Sequence, residues 1–413
     1  MADAELDRLR HPEDARATIL RHVRPMPVER LRLAAAAGRI LAEDLIAASD
    51  QPPFAAATMD GFAVVAEDGS PWREVIGEQT AGFVLAAEVT PGTAIRITTG
   101  SPVPRGANAV IKVEATEPAE DHVVILQEDV APGENIRPIG ADLRQGDVVV
   151  GRGTRLGPAA LGLAAGLGVS PVSVAQRPRV SILSTGDELV EPGQPIGPGQ
   201  IYDANRFSLI AAAADAGAEV VWAGKAPDER AAVRQLLIDR IAASDVVLTS
   251  GGVSMGELDL IKPLLGELAT VHFRRVFMKP GKPFNFATSG ATLLFGLPGN
   301  PVSALVAFEV FIRPALLTAM GAARIERPRA PVTLRRDAAP TDRIEFQRGV
   351  VSVAPDGRLV ARTTGVQASS RLASFLGANA LLIIQPRETT YRAGEVVEAM
   401  LFAPPLASDS TST

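Results

Sequence analysis

The sequence predicts a multidomain α/β plus β protein. It has a central, mostly parallel sheet covered by helices on both faces, with β-rich units before and after it. Three observations carry this. Between about 177 and 327, short apolar strands alternate with segments of helical periodicity, the pattern of parallel strands joined by crossover helices. Between 54 and 150 the texture is short β-branched runs separated by glycine and proline turns, the signature of a small β-rich unit. The same texture returns from 332 to 402.

Residues 1–50 read as helical, with alanine and leucine recurring through LRLAAAAGRILAEDLIAA (31–48) until Pro52-Pro53 breaks the pattern. GFAVVA, AIRITT, AVIKVE, HVVIL and DVVV then read as short strands, and 151–176 returns to a Gly/Ala-rich helical texture. VSILS (180–184) is an apolar strand ending in the turn TGDEL. Asn205 is placed to cap a helix that Gly217 would end. EVVWAG is the next strand. Asp228 precedes a helix whose Val233, Leu236, Leu237 and Ile241 share one face. DVVLTSGG is another strand, and ATLLFGLPGNPVSALVAFEVFIRPAL reads strand, loop, helix. ERPRAP (326–331) looks like a linker, and the polar tail like a disordered end.

Composition bounds the chemistry. The 413 residues leave room for about two to four domains. A net charge of -6 and 4% aromatics argue against nucleic acid as a partner. The chain has no cysteine, which excludes disulfides, thiolate metal sites and cysteine nucleophiles. The four histidines are scattered, with no pair at metal-ligand spacing. The charged opening MADAELDRLRHPEDAR has no apolar signal core. Two long uncharged runs, 156–176 and 283–308, are broken by glycine and proline and read as buried pieces, not membrane spans. The expectation is a cytoplasmic protein with neither membrane nor nucleic-acid partners.

Ligands of open parallel sheets bind beyond the carboxyl ends of the strands. Three such loops are rich in glycine and polar groups: STGDEL (184–189), TSGGVSMGELD (249–259) and GLPGNPVSAL (296–305). Glycine lets a backbone approach an anion, as Gly251 and Gly252 would, although each loop alone is equally an ordinary turn. KPGKPF (279–284) is sharper. Only five of the 41 basic residues are lysines, and two of them, Lys279 and Lys282, flank one proline-glycine turn. They can aim two ammonium groups at one multiply charged anion, or form a solvated basic turn. Asp187, Glu188, Asp228 and Asp259 lie in or just after these loops and can hold a hard cation beside phosphates. Singly, Asp228 and Asp259 also suit helix caps, and Asp187 a turn. Asp60-Gly61 in ATMDGFAV reads first as a hairpin turn. Arg348 in FQRG, with Ser369 and Ser370 in QASSRLASF, can bind an oxyanion or be surface polar residues.

TMDGFAV, TGSPVPRGANAV, NIRPIGAD, STGDEL with GQIYDANR, SGGVSMGELD, KPGKPF and LPGNPVSAL, in this order from about 52 to 375, resemble the signature segments of the molybdopterin molybdenumtransferases. These are the MoeA-type proteins related to the E domain of gephyrin. The resemblance implies four domains and a homodimer. An elongated helical and β N-terminal pair precedes a MogA-like three-layer α/β domain that binds molybdopterin, and a β-barrel ends the chain. The implied division is 1–52 with 140–176, an inserted β-rich 53–139, a central 177–327, a barrel at 328–404 and a tail at 405–413. The implied activity inserts molybdenum from molybdate into adenylyl-molybdopterin, with AMP released and Mg²⁺ assisting.

Carried over by motif, Lys279 and Lys282 would face molybdate or the substrate phosphate. Arg348, Ser369 and Ser303 would complete an oxyanion pocket. Glu188, Asp228 and Asp259 would hold Mg²⁺ or orient the substrate. Gly251, Gly252, Ser254, Pro298 and Pro301 would shape the pterin loops. Asp60, Thr99 and Asp142 would reach across the dimer. QASSR departs from the glycine more usual before the serine, which leaves Ser370 or Arg371 as alternative contacts. The implied partners are a molybdopterin adenylyltransferase upstream and molybdoenzyme-maturation proteins downstream. Two rival readings stand beside this one. An adenylyltransferase would use a similar α/β domain without the two extra β units. A non-catalytic pterin-binding paralogue or scaffold would keep the fold and not the chemistry.

Overall fold

The computed structural model describes residues 5–120, 122–227, 229–252 and 260–407. At its centre six strands form one sheet: β1 (Arg179–Ser184), β2 (Glu219–Lys225), β3 (Val246–Ser250), β4 (Thr270–Arg275), β5 (Pro283–Ser289) and β6 (Thr292–Leu297), in the order β2-β1-β3-β6-β5-β4. The first four in that order run parallel, and β5 and β4 continue the sheet antiparallel. Successive residues of a strand point to opposite faces, and the core follows that rule. Ile182, Leu248 and Phe295 join one apolar cluster with Leu209, Ala213 and the helical stretch from Val302 to Leu316. Their neighbours Leu183, Val247 and Leu294 join the other, with Val233, Leu237, Ile261 and Leu264. Helix α1 (Ala204–Asp215) therefore packs on one face, and α2 (Arg230–Ala243) and α3 (Ile261–Leu268) on the other. The result is the expected three-layer domain.

The chain leaves β1, returns as β2 on one side, and then crosses to β3 on the other. The sheet thus changes winding direction between β1 and β3, where a crevice opens at the strand ends. Gly217 ends α1 as expected, at φ +97°. The start differs: Asp203, not Asn205, caps the helix, accepting from the Arg206 backbone N–H at 3.2 Å. Pro301–Ala319, 19 residues, is apolar and long enough to cross a bilayer by length and composition, yet 78% of its most apolar window is buried inside the protein. It is a core helix.

The run 31–48 does not form the helix that its alanines favour. It folds as a single 3-10 turn, Leu33–Ala35, then the short strand Leu45–Ile46. Gly38 takes a left-handed φ of +73°, and Ile40 and Leu41 bridge to Arg155 and Val174. Leu41 and Leu45 bury against Val150, Leu156, Val172 and Val174. Long-range packing overrides local helix propensity here. The helix expected in this region lies earlier, at Pro12–His22, and its Ala15 and Ile19 are buried in the central domain's core.

Strands between 61 and 126 form a second six-stranded sheet. Asp60-Gly61 is not a hairpin turn, because Gly61 begins the strand Gly61–Val64 beside Ala109–Lys112. A Cβ on Gly61 would stand 1.8 Å from the Ile111 carbonyl oxygen, so close backbone approach requires the glycine. At the C-terminal end, Ile344–Val353 pairs with both Leu359–Thr363 and Ala380–Ile384. Arg329–Leu334 and Val396–Leu401 complete the ring. This closed five-stranded barrel surrounds Val332, Val351, Leu382 and Val397. It joins the central domain where Met278–Lys279 pairs in parallel with Ile344 and Glu345.

Gly61→Ala is expected to destabilise the protein by about 3 kcal/mol, the upper range for overpacking. Urea unfolding followed by circular dichroism measures it, and an unchanged midpoint would contradict the close-approach role.

Candidate active site

Two depressions meet at the loop that follows β6. The first lies at the β1/β3 switch point and has a volume of about 1090 Å³. The second, of about 610 Å³, lies between the central domain and the barrel. Pro283, Pro298, Asn300 and Ser370 line both.

The first is built from strand-end loops tied to one another. Thr185 N–H donates to the Ser250 carbonyl at 3.0 Å, and Gly251 N–H to the Leu297 carbonyl at 3.1 Å. Gly251 sits at φ +88°, and a Cβ there would come within 2.6 Å of the Thr185 carbonyl oxygen. The loops after β1 and β3 can therefore pack this closely only with glycine. Asn205, freed from capping, donates through Nδ2 to Ser250 Oγ and to the Gly299 carbonyl, both at 2.7 Å. Glu188 is exposed on the rim, with its carboxylate folded back over Gly186. An exposed carboxylate beside a cleft suits a hard cation that keeps several waters. Gly252 lines this depression. Ser254, Asp228 and Asp259 lie outside the described residues. Among the described residues no group of three His, Asp or Glu is placed to hold a metal ion.

The second depression is cationic. Lys279, Lys282 and Arg343 line it, with Glu345 as counter-charge and Ser303, Ser369 and Ser370 as hydroxyls. Lys279 Nζ stands 3.5 Å from Glu345 Oε1. Lys282 is exposed, and its ammonium makes no hydrogen bond or ion pair among the described residues. Ser303 is buried near the N-terminus of the helical stretch that starts at Pro301. The barrel loop docks there: Val302 N–H donates to the Ser369 carbonyl, and Asn300 Nδ2 to Ser369 Oγ, each at 3.1 Å.

Arg348 lies under this loop and does not line the depression. It is fully buried. Its Nε donates to Ser374 Oγ at 2.9 Å, one terminal nitrogen donates to the Ala368 carbonyl at 3.2 Å, and the other has no hydrogen-bond partner. Its backbone N–H and carbonyl both bond the Gln367 side chain. Burial lowers the guanidinium pKa to about 10, with Glu345 opposing the shift, so the group stays charged at neutral pH.

Asp60, Thr99 and Asp142 line neither depression. They gather on the N-terminal part instead. Asp60 Oδ1 accepts from Thr99 N–H and Thr99 Oγ1, both at 2.7 Å. Thr58 N–H donates to the Asn135 carbonyl, and Ala56–Ala57 pairs with Ile136 and Arg137. The TMDG, TTGSP and NIRP segments are thereby joined, and Asp142 pairs with Arg137. The sequence reading missed Asn205, Asn300, Arg343, Glu345 and Gln367 as lining or supporting residues. A signal existed for Glu345, because in IEFQRG the polar Glu345 and Gln347 alternate with Ile344 and Phe346 and share one strand face.

The Thr99 hydrogen bonds hold the Asp60 carboxyl below its ordinary value. A carboxylate lowered in this way favours the folded state above the usual Asp range and loses that contribution as pH falls through its depressed pKa. In an NMR titration Asp60 is expected to titrate below 3.8, and Thr99→Val to move it back up. A midpoint unaffected by the substitution would contradict the assignment.

Comparison with known proteins covers all three parts of the chain. Residues 10–168 match the family model described as MoeA N-terminal region (domain I and II). Residues 181–318 match a probable molybdopterin binding domain, and 331–402 the MoeA C-terminal region (domain IV). The chain is 38% identical over 378 residues to the molybdopterin molybdenumtransferase of Haemophilus influenzae, spanning 90% of this chain and 93% of that one. It is 40% identical over 383 residues to molybdopterin molybdenumtransferase 2 of Mycobacterium tuberculosis, spanning 89% and 93%. The solved molybdopterin biosynthesis MoeA protein of Pyrococcus horikoshii OT3 matches with a TM-score of 0.80 at 31% identity, over 95% of this chain and 100% of that one. With the three-part match running in order along a shared architecture, the chain belongs to the MoeA family.

Proposed function

We propose that this enzyme inserts molybdenum from molybdate into adenylyl-molybdopterin, releasing AMP and giving Mo-molybdopterin. The observation that carries the reading is the contact of two unlike depressions along a wall that Pro283, Pro298, Asn300 and Ser370 share. The larger has glycine-lined strand ends at a winding switch point, suited to a pterin and its pyrophosphate. The smaller offers Lys279, Lys282 and buried Ser303, suited to a tetrahedral dianion. Pro298 and Asn300 lie in both walls, so the two substrates would sit side by side.

In this reading Gly251 and Gly252 let the backbone approach the pyrophosphate, and Ser254 adds a hydroxyl from the same loop. Pro298 and Pro301 shape the pterin loop. Lys279 and Lys282 bind and orient molybdate, with Ser303 and Ser369 donating hydroxyl hydrogen bonds. Arg348 fixes the loop that carries Ser369. Glu188, Asp228 and Asp259 are the residues to hold Mg²⁺, which when bound polarises a phosphoryl oxygen and stabilises departing AMP. Asp60, Thr99 and Asp142 act in a homodimer, facing the depressions of the second copy. The domain division follows the family's: the N-terminal unit of 1–52 and 140–176, its insert 53–139, the central 177–327 and the barrel 328–404. An adenylyltransferase supplies the substrate in the cytoplasm, and molybdoenzyme-maturation proteins take the product.

The test is AMP release from adenylyl-molybdopterin by the pure protein with Mg²⁺, with and without molybdate. Molybdate-dependent release with molybdenum retained on the pterin is expected. Lys282→Ala should lower the rate on the order of 100-fold, the usual cost of removing one charge-stabilising donor. Pterin binding without AMP release would make the protein a carrier, and ATP-dependent adenylation of free molybdopterin would make it the upstream enzyme.

A further inference from the structure

We infer that Glu345 is the counterion that sets how tightly the smaller depression holds its oxyanion: Lys279 pairs with it in the empty site and turns to the dianion when one binds. The inference rests on the molybdate reading of that depression.

A carboxylate is an unexpected group in the wall of an anion site, because it repels the ligand it stands beside. Glu345 nevertheless lines the depression, and its side chain is only 4% exposed. It comes from the barrel, whereas Lys279 and Lys282 come from the central domain, so its ion pair spans the two. One carboxylate oxygen faces Lys279 Nζ at 3.5 Å, and the other accepts from Gln347 Nε2 at 3.1 Å. Three cations line the wall with this one carboxylate, and Arg343 is already paired with Asp342 at 3.1 Å, so Lys279 and Lys282 are the cations left to meet an anion.

Lys279 is free to change partner. Its side chain is 43% exposed, and an ammonium on a four-carbon stem carries three rotatable donors. Binding a dianion then draws Lys279 away from Glu345 and leaves a carboxylate near the new anion. Both effects weaken the hold. Glu345 keeps a cationic neighbour throughout, because it acts electrostatically on the buried Arg348. A weak hold suits an anion that must leave this depression for the adjoining one across Pro298 and Asn300.

Isothermal titration of molybdate into the full-length wild type, Glu345→Gln and Glu345→Asp tests this, with thermal melting to confirm that each is folded. Glu345→Gln is expected to tighten binding about tenfold through loss of one close like charge, and Glu345→Asp, which keeps the charge, to stay near the wild type. A merely structural role would weaken binding in the Gln variant. Equal or weaker binding by Glu345→Gln, or equal tightening by both variants, overturns the proposal and leaves the molybdate reading intact. Absence of molybdate binding by the wild type and both variants overturns the molybdate reading, and this proposal with it.

Discussion

The loop 296–301 is held from two sides, and both depressions depend on that. From the sheet side, Asn205 on the first turn of α1 bonds both the end of β3 and the Gly299 carbonyl. From the barrel side, Ser369 accepts from Asn300 through its side chain and from Val302 through its backbone. The loop itself leaves β6, an inner strand whose Leu297 is fully buried. A polar loop is thereby fixed on a rigid scaffold, the usual way in which a fold positions reactive groups. Moving either tie would shift the wall that the two depressions share.

Charge is organised locally, against the trend of the whole chain. The protein carries a net charge of -6, yet Lys279, Lys282 and Arg343 converge in one depression. Low-dielectric walls focus such a field, so the local sign governs an anion's approach more than the total does. Arg348 extends the arrangement inward. Its side-chain and backbone hydrogen bonds to Gln367, Ala368 and Ser374 fix the barrel loop from beneath, and Glu345 acts electrostatically on its buried charge.

Much of this was legible in the chain. β1, β3 and β6 are short, mostly apolar runs ending in glycine-containing turns, and a run of this kind bounded by such turns reads as a strand buried on both faces. The lysine pair stood out because lysine is scarce here. What stayed hidden depended on contacts distant in sequence. The run 31–48 has good helix propensity, and only its pairing with residues 155 and 174 makes it irregular. Asp60-Gly61 looks like a turn until the strand Ala109–Lys112 is seen crossing Gly61. Asp203 and Asn205 are both plausible caps by type, and the tie from Asn205 to Gly299 decides between them. Arg348 reads as an oxyanion ligand or a surface group and is neither, since nothing local reveals that Ser374 and the Ala368 carbonyl are its buried partners.

Anomalous diffraction at the molybdenum edge, from crystals of this protein grown with molybdate, tests the central claim most directly. The account expects a molybdenum peak in the smaller depression, with the oxyanion in hydrogen-bond reach of Lys279, Lys282 and Ser303. A molybdenum peak at the β1/β3 switch point, with the lysine-lined depression empty, would contradict it.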